Sequence, residues 1–122
     1  MKSLLLVGLG GFIGSIARYY TQVLFNKILP GHIPYGTLTA NVLGCFIIGV
    51  IFAIGLKQGT LSTEWRLFIA IGFCGGFTTF SSFSLENFLL LQAGQYAAVI
   101  VYFLGSVLLG FGATLLAVFL FR

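Results

Sequence analysis

The sequence predicts an all-α integral membrane protein with four transmembrane helices. Hydrophobic residues occupy 59% of the 122 positions and charged residues only 7%, whereas a soluble domain carries about 25% charged residues. So few charges cannot cover a surface that faces water. Because one transmembrane helix needs about 20 residues, the length accommodates about four spans and short loops. Residues 1–122 are therefore predicted to form a single transmembrane domain.

The first span is predicted over residues 4–25 and contains Gly10 and Gly14, which are four positions apart. Small residues at this spacing let another helix approach closely. Arg18 lies in the same span, where a charge costs at least about 2.5 kcal/mol. It should therefore face protein or water. A structural anchor that reaches the membrane interface and a residue of an ion pathway are both open interpretations.

The second span is predicted over residues 37–56, after a loop that contains Pro30 and Pro34. Asn41 is the one side-chain amide deep in this helix. An amide can donate two hydrogen bonds and accept others. Asn41 could therefore join two helices or aim a donor at an anion, and the spacing alone does not choose between these roles.

The third span is predicted over residues 65–92, after a polar loop at 57–64 in which Ser62 is suited to cap the helix. In its middle, glycines at 72, 75 and 76 precede a run of hydroxyl residues. Glycine tolerates unusual backbone conformations, and hydroxyls can satisfy the backbone groups of a broken helix. We therefore predict a break near residues 75–79. The hydroxyl residues of this stretch are Thr78, Thr79, Ser81, Ser82 and Ser84.

Two phenylalanines of this stretch, Phe80 and Phe83, share one helical face beside the hydroxyls. An aromatic ring has a negative face and a positive edge, so the ring edges could contact an anion. The alternative is that they are ordinary core or lipid-facing residues, as most of the 14 phenylalanines must be.

The fourth span is predicted over residues 97–121 and carries a polar stripe with a period of four residues: Tyr102, Ser106, Gly110 and Thr114. Such hydroxyls often bond to carbonyls of their own helix. Together with the hydroxyls of the third span, the stripe favours a lined pathway.

The residue inventory excludes several functions. No catalytic arrangement is visible, and no basic run supports nucleic-acid binding. Cys45 and Cys74 lie in apolar segments and are expected to be small buried residues.

The deep charge is positive and the deep polar groups can donate hydrogen bonds, which suits a small anion better than a cation. The role of Glu86 stays open between a proton carrier, a vestibule residue and a partner of Arg18.

Three motifs resemble those of the Fluc (CrcB-type) fluoride channel family. They are GGFIGSIARYY at 10–20, GTLTANVLGCFIIG at 36–49 and GGFTTFSSFSLEN at 75–87. The motifs occur in the family's order and the resemblance covers the whole chain. Ser82 stands where the family usually has threonine, and the substitution keeps the hydroxyl.

The resemblance implies a passive, fluoride-selective channel that exports cytoplasmic fluoride across the cell inner membrane and so confers fluoride resistance. It further implies a homodimer of antiparallel subunits with two pores and a structural Na⁺ at the centre. Carried over by motif, the carbonyls of Gly75 and Thr78 hold the Na⁺. The residues that the resemblance assigns to the fluoride pathway are Arg18, Asn41, Phe80, Ser81, Ser82, Phe83, Ser84, Tyr102 and Ser106.

An antiparallel dimer requires a weak charge bias between the two sides of the membrane. One side carries Lys2, Lys57, Arg66 and Arg122, and the other carries Lys27 with or without Arg18. This count leans toward cytoplasmic termini but rests on few charges.

Two alternative functions are compatible with four transmembrane helices: a small proton-coupled multidrug transporter and a structural subunit of a membrane complex. The first normally needs a carboxylate in its first helix, which this chain lacks.

Overall fold

The computed structural model describes residues 1–57 and 59–122, and their regular structure is entirely helical. Gln58, which falls in the predicted loop at 57–64, lies outside the described residues. Among the described residues, four helices are long and apolar enough to cross a membrane. These spans are Lys2–Ile28 (α1), Tyr35–Gly55 (α2), Thr63–Gln92 and Tyr96–Phe121 (α5). The predicted all-α fold with four transmembrane helices is confirmed.

The third span is built from two helical pieces. The first piece, α3 (residues 63–77), consists of α-helical Thr63–Arg66, π-helical Leu67–Cys74 and the α-helical turn Gly75–Phe77. Thr78 and Thr79 then adopt extended conformations, with ψ angles of 155° and 120°. The second piece, α4, runs over Phe80–Gln92. The interruption lies within the stretch where the glycines and hydroxyls predict it, whereas the π-helical segment has no signal in the sequence.

The four spans pack as two pairs. α1 lies along α3, α2 lies along α5, and α1 also contacts α2. α4 packs mainly against α5. The half of the third span before the break is therefore held by α1, and the half after it by α5.

Glycines of α1 set its distance from α3. In the first pair, Gly10 lies against the backbone of Phe68 and Gly72, and Gly14 lies against the backbone of Phe73 and Phe77. The close approach predicted for the glycine pair of α1 is thus found, with α3 as the partner. Because lipid is as apolar as leucine, helices in a membrane associate through such close packing rather than through the hydrophobic effect.

A side chain at Gly14 should separate α1 from α3. Its Cβ would overlap the carbonyl oxygen of Phe73 and lie 2.9 Å from the amide nitrogen of Phe77. Both are backbone atoms, so the helices must move apart. We expect Gly14→Ala to lower the free energy of unfolding by about 1–3 kcal/mol.

The measurement is denaturant unfolding of the purified protein in detergent. Gly8→Ala is the matched control, because a Cβ at that position of the same helix meets no atom of the described residues within 4 Å. Equal stability of Gly14→Ala and Gly8→Ala would contradict the packing described.

Candidate functional site

The break between α3 and α4 is stabilised by side chains that replace helical hydrogen bonds. The amide nitrogen of Thr79 donates to Asn41 Oδ1 at 2.7 Å, and Asn41 Nδ2 donates to the carbonyl of Thr79 at 3.1 Å. Arg18 Nε donates to the carbonyl of Gly76 at 2.9 Å. The Thr79 hydroxyl caps α4 by accepting from the amide of Ser82 at 3.1 Å. Four backbone groups at the break, the carbonyl of Gly76, both groups of Thr79 and the amide of Ser82, are therefore bonded to side chains rather than to the helix.

These contacts leave two carbonyls without their helical partners. In a continuous α-helix, the amide of Thr79 would donate to the carbonyl of Gly75, and that of Ser82 to the carbonyl of Thr78. The two amides are instead bonded to Asn41 Oδ1 and the Thr79 hydroxyl. Gly75 and Thr78 are the two residues whose carbonyls the sequence resemblance assigns to a cation.

A groove with a volume of 510 Å³ runs beside the break, between α2, the third span and α5. It brings together six of the residues that the sequence resemblance assigns to the fluoride pathway or to the cation: Asn41, Gly75, Thr78, Phe80, Phe83 and Ser106. The remaining lining residues are mostly small or aliphatic. The groove therefore combines an apolar wall with a few polar groups near the break, as binding sites commonly do.

Phe80 and Phe83 of α4 both line this groove but differ in burial. The Phe83 ring is buried, with 7% of its surface exposed, whereas Phe80 is 79% exposed. Their ring centroids are 5.8 Å apart. Phe83 also packs edge-on against Tyr102, with centroids 5.1 Å apart. Phe83 thus connects the groove to the polar stripe of α5.

Within that stripe, the hydroxyls differ in their partners. Ser106 Oγ is buried and has no hydrogen-bond partner in the part of the chain that the structure describes. Thr114 Oγ1 donates to the carbonyl of Cys45 at 3.1 Å and lies 3.3 Å from the carbonyl of Gly110 in its own helix. Ser106 is therefore available to a ligand in the groove, whereas Thr114 joins α2 to α5.

The serines of α4 are less closely grouped than the sequence suggests. Ser81 and Ser84 are exposed and Ser82 is half-buried. Ser81 Oγ lies 3.3 Å from Thr79 Oγ1. None of the three lines the groove, so in a single chain they do not form one continuous track with Tyr102 and Ser106.

A second polar cluster surrounds Glu86, and little in the sequence predicts it. Gln22 Nε2 donates to Thr37 Oγ1 at 3.0 Å, Thr37 donates to Glu86 Oε2 at 2.8 Å, and the Tyr102 hydroxyl donates to Glu86 Oε1 at 2.8 Å. Thr37 and Tyr102 are each 1% exposed. Glu86 is thus bonded to α2 and α5 rather than to Arg18.

The available signal for this cluster was a carboxylate inside an apolar span, which normally has a partner or a function. Its partners come from α1, α2 and α5, and no spacing within one helix reveals contacts between helices. Beside it lies a cavity of 240 Å³. Its lining residues are Tyr19, Gln22, Val23, Asn26, Pro34, Gly36, Thr37 and Glu86.

Comparison with known proteins gives this arrangement a family. Residues 5–118 match the family described as CrcB-like protein, Camphor Resistance (CrcB). The chain belongs to the CrcB family. The resemblance found in the three motifs is thereby confirmed.

Curated CrcB relatives carry the name fluoride-specific ion channel FluC. The relative from Leptospira interrogans serovar copenhageni is 46% identical over 121 residues, which cover 99% of this chain and 95% of that protein. The relative from Azobacteroides pseudotrichonymphae is 45% identical and covers 95% of this chain and 93% of that protein. The relative from Campylobacter jejuni is 52% identical over 96 residues, 79% of this chain and 78% of that protein.

Membership of the CrcB family bears on the functional classes considered from the sequence. The relatives are named ion channels, so the prediction that the chain is not an enzyme is confirmed. The four spans and this kinship identify a multi-pass membrane protein.

Proposed function

We propose that this CrcB protein is a passive, fluoride-selective channel that exports cytoplasmic fluoride across the cell inner membrane. The observation that carries the proposal is the groove beside the broken third span. It places side by side an amide, two phenylalanines and a buried hydroxyl that has no hydrogen-bond partner among the described residues. The names of the curated relatives supply the identity of the ion.

The chemistry of the groove suits a small dehydrated anion. Ser106 has a hydroxyl proton with no acceptor among the described residues, and Asn41 retains a second N–H beyond the one bonded to Thr79. The positive edges of the Phe80 and Phe83 rings add a weaker attraction. The first turn of α4 also begins at the groove, and the N-terminal end of a helix favours negative charge.

The proposal includes an antiparallel homodimer with two pores. Irregular backbone at membrane depth is tolerated only where it is buried in protein or lines a water-filled cavity. In a single chain, Gly75 and Phe80 are exposed at the groove. A second copy packed over the groove would cover them and close the open side into a passage.

The proposal also includes a structural Na⁺ between the two copies, held by the carbonyls of Gly75 and Thr78. The fit is supported by the loss of their helical donors, because hard cations prefer oxygen ligands. A bound cation would compensate the partial negative charge of these carbonyls and tie the copies together.

The test is passive ion release from proteoliposomes loaded with potassium fluoride, with a potassium ionophore to dissipate the membrane potential. We expect fluoride release far faster than from protein-free liposomes, and chloride release close to that of protein-free liposomes in a parallel loading. Fluoride release at the protein-free rate by correctly folded protein would overturn the proposal.

A further inference from the structure

We infer that Asn41 is a positioning residue: it keeps the helix of the third span interrupted at residues 78–79 and thereby frees the Gly75 carbonyl to bind a cation. This inference rests on the proposed function for the identity of that cation, and on the hydrogen bonds at the break for everything else.

Asn41 and Thr79 are joined by a pair of hydrogen bonds. The side chain accepts from the amide of Thr79 at 2.7 Å and donates to the carbonyl of the same residue at 3.1 Å. One side-chain amide thus satisfies both backbone groups of a single extended residue. In a β-sheet, a residue of the neighbouring strand would make these two bonds with its backbone. Here the side chain of Asn41 on α2 makes them instead.

The bond to Asn41 competes with a helical bond for the Thr79 amide. Thr79 lies four positions after Gly75, so its amide is the natural helical partner of the Gly75 carbonyl. Without the Asn41 carbonyl oxygen, the shortest route to satisfy the amide is to continue the helix. Continuation would consume the Gly75 carbonyl, whereas the bond to Asn41 leaves it available.

Other groups at the break act in the same direction. Arg18 Nε donates to the carbonyl of Gly76 at 2.9 Å. In a continuous helix, that carbonyl would instead accept from the amide of Phe80. The Thr79 hydroxyl occupies the amide of Ser82 at 3.1 Å. Each of the three contacts therefore competes with one hydrogen bond of the uninterrupted helix, and Asn41 supplies the one that bears on Gly75.

The test compares two substitutions, of which one keeps an acceptor for the Thr79 amide and the other removes it. Asn41→Asp keeps an oxygen that can accept from the Thr79 amide, whether or not the new carboxyl is protonated. Asn41→Val is slightly smaller, is uncharged, and has no acceptor. The readout is the Na⁺ concentration that gives half-maximal stabilisation of the dimer in detergent, with N-methylglucamine replacing Na⁺ at constant ionic strength.

We expect Asn41→Asp to keep the Na⁺ midpoint within about threefold of the wild type, and Asn41→Val to raise it at least about tenfold or abolish the response. Fluoride release is measured in parallel. If Asn41 were only a donor to fluoride, both variants would lose fluoride release and both would keep the wild-type Na⁺ midpoint, which would overturn the inference.

A second measurement does not depend on a variant folding. Protein labelled with ¹³C in asparagine and ¹⁵N in threonine is reconstituted in lipid, and the dipolar coupling between the Asn41 side-chain carbonyl carbon and the Thr79 amide nitrogen is measured by solid-state NMR. A coupling at hydrogen-bond distance supports the inference and its absence overturns it. If the wild type shows no response to Na⁺, the cation in the proposed function is wrong, and this coupling still tests the hydrogen bond by which Asn41 holds the break.

Discussion

Replacing Phe83 by isoleucine is expected to slow fluoride release at least about tenfold, which corresponds to about 1.4 kcal/mol on the barrier. Isoleucine fills much of the same volume but has no ring edge to face an anion. It also loses the edge-on contact with Tyr102, whose centroid is 5.1 Å from that of Phe83. Phe80→Ile should act in the same direction, because Phe80 lies in the same groove.

The measurement is the initial rate of fluoride release at equal protein density, with the dimer fraction determined by size-exclusion chromatography. Phe88→Ile is the matched control, because Phe88 is an exposed phenylalanine of α4 that does not line the groove. Fluoride release by Phe83→Ile at the rate of Phe88→Ile would remove the rings from the pathway.

Replacing Glu86 by alanine is expected to have the largest effect on stability of any substitution at a carboxylate in this chain. It removes the acceptor for both the Thr37 and the Tyr102 hydroxyls, each of which donates to Glu86 at 2.8 Å and is almost fully buried. Interhelical hydrogen bonds in membranes contribute about 0.6 kcal/mol on average and up to about 1.7 kcal/mol. The loss of two should lower the free energy of unfolding by about 1–3 kcal/mol. Glu86→Gln should lose less, since it keeps one acceptor oxygen.

The other carboxylate of the chain provides the control. Glu64 pairs with Lys2 at 2.8 Å, and both side chains are largely exposed. An exposed ion pair contributes about 0.2–1 kcal/mol, so Glu64→Gln should change stability little. Denaturant unfolding in detergent compares the two positions, and a larger loss for Glu64→Gln than for Glu86→Ala would contradict the importance of the buried cluster.

Much of the fold could be predicted from the sequence. A membrane helix pairs its backbone hydrogen-bonding groups internally, and its length and hydropathy identify it. The break was predictable for a related reason: glycines at 75 and 76 followed by Thr78 and Thr79 supply both backbone freedom and replacement hydrogen bonds. The packing of Gly10 and Gly14 followed from spacing alone. The identity of the partner helix did not follow from it, because any helix with small residues on its surface could approach the two glycines closely.

The candidate site was predictable in its residue types but not in its pairings. Asn41 was a candidate either for joining helices or for facing an anion, and the structure shows both of its polar atoms bonded to the break. Arg18 and Glu86 could have formed a pair, yet Arg18 bonds a backbone carbonyl and Glu86 bonds two hydroxyls. These choices depend on how four helices rotate against one another, and hydropathy and motif spacing carry no information about that rotation.

The central claim is that an anion path selective for fluoride passes beside the broken third span. The most direct test is the reversal potential of the current in a planar bilayer, with a tenfold fluoride gradient opposed by a tenfold chloride gradient at equal pH. The account predicts reversal near the fluoride equilibrium potential, about 59 mV in magnitude, with no shift when a pH gradient is added. Reversal at the chloride potential, or a potential that follows the pH gradient, would contradict it.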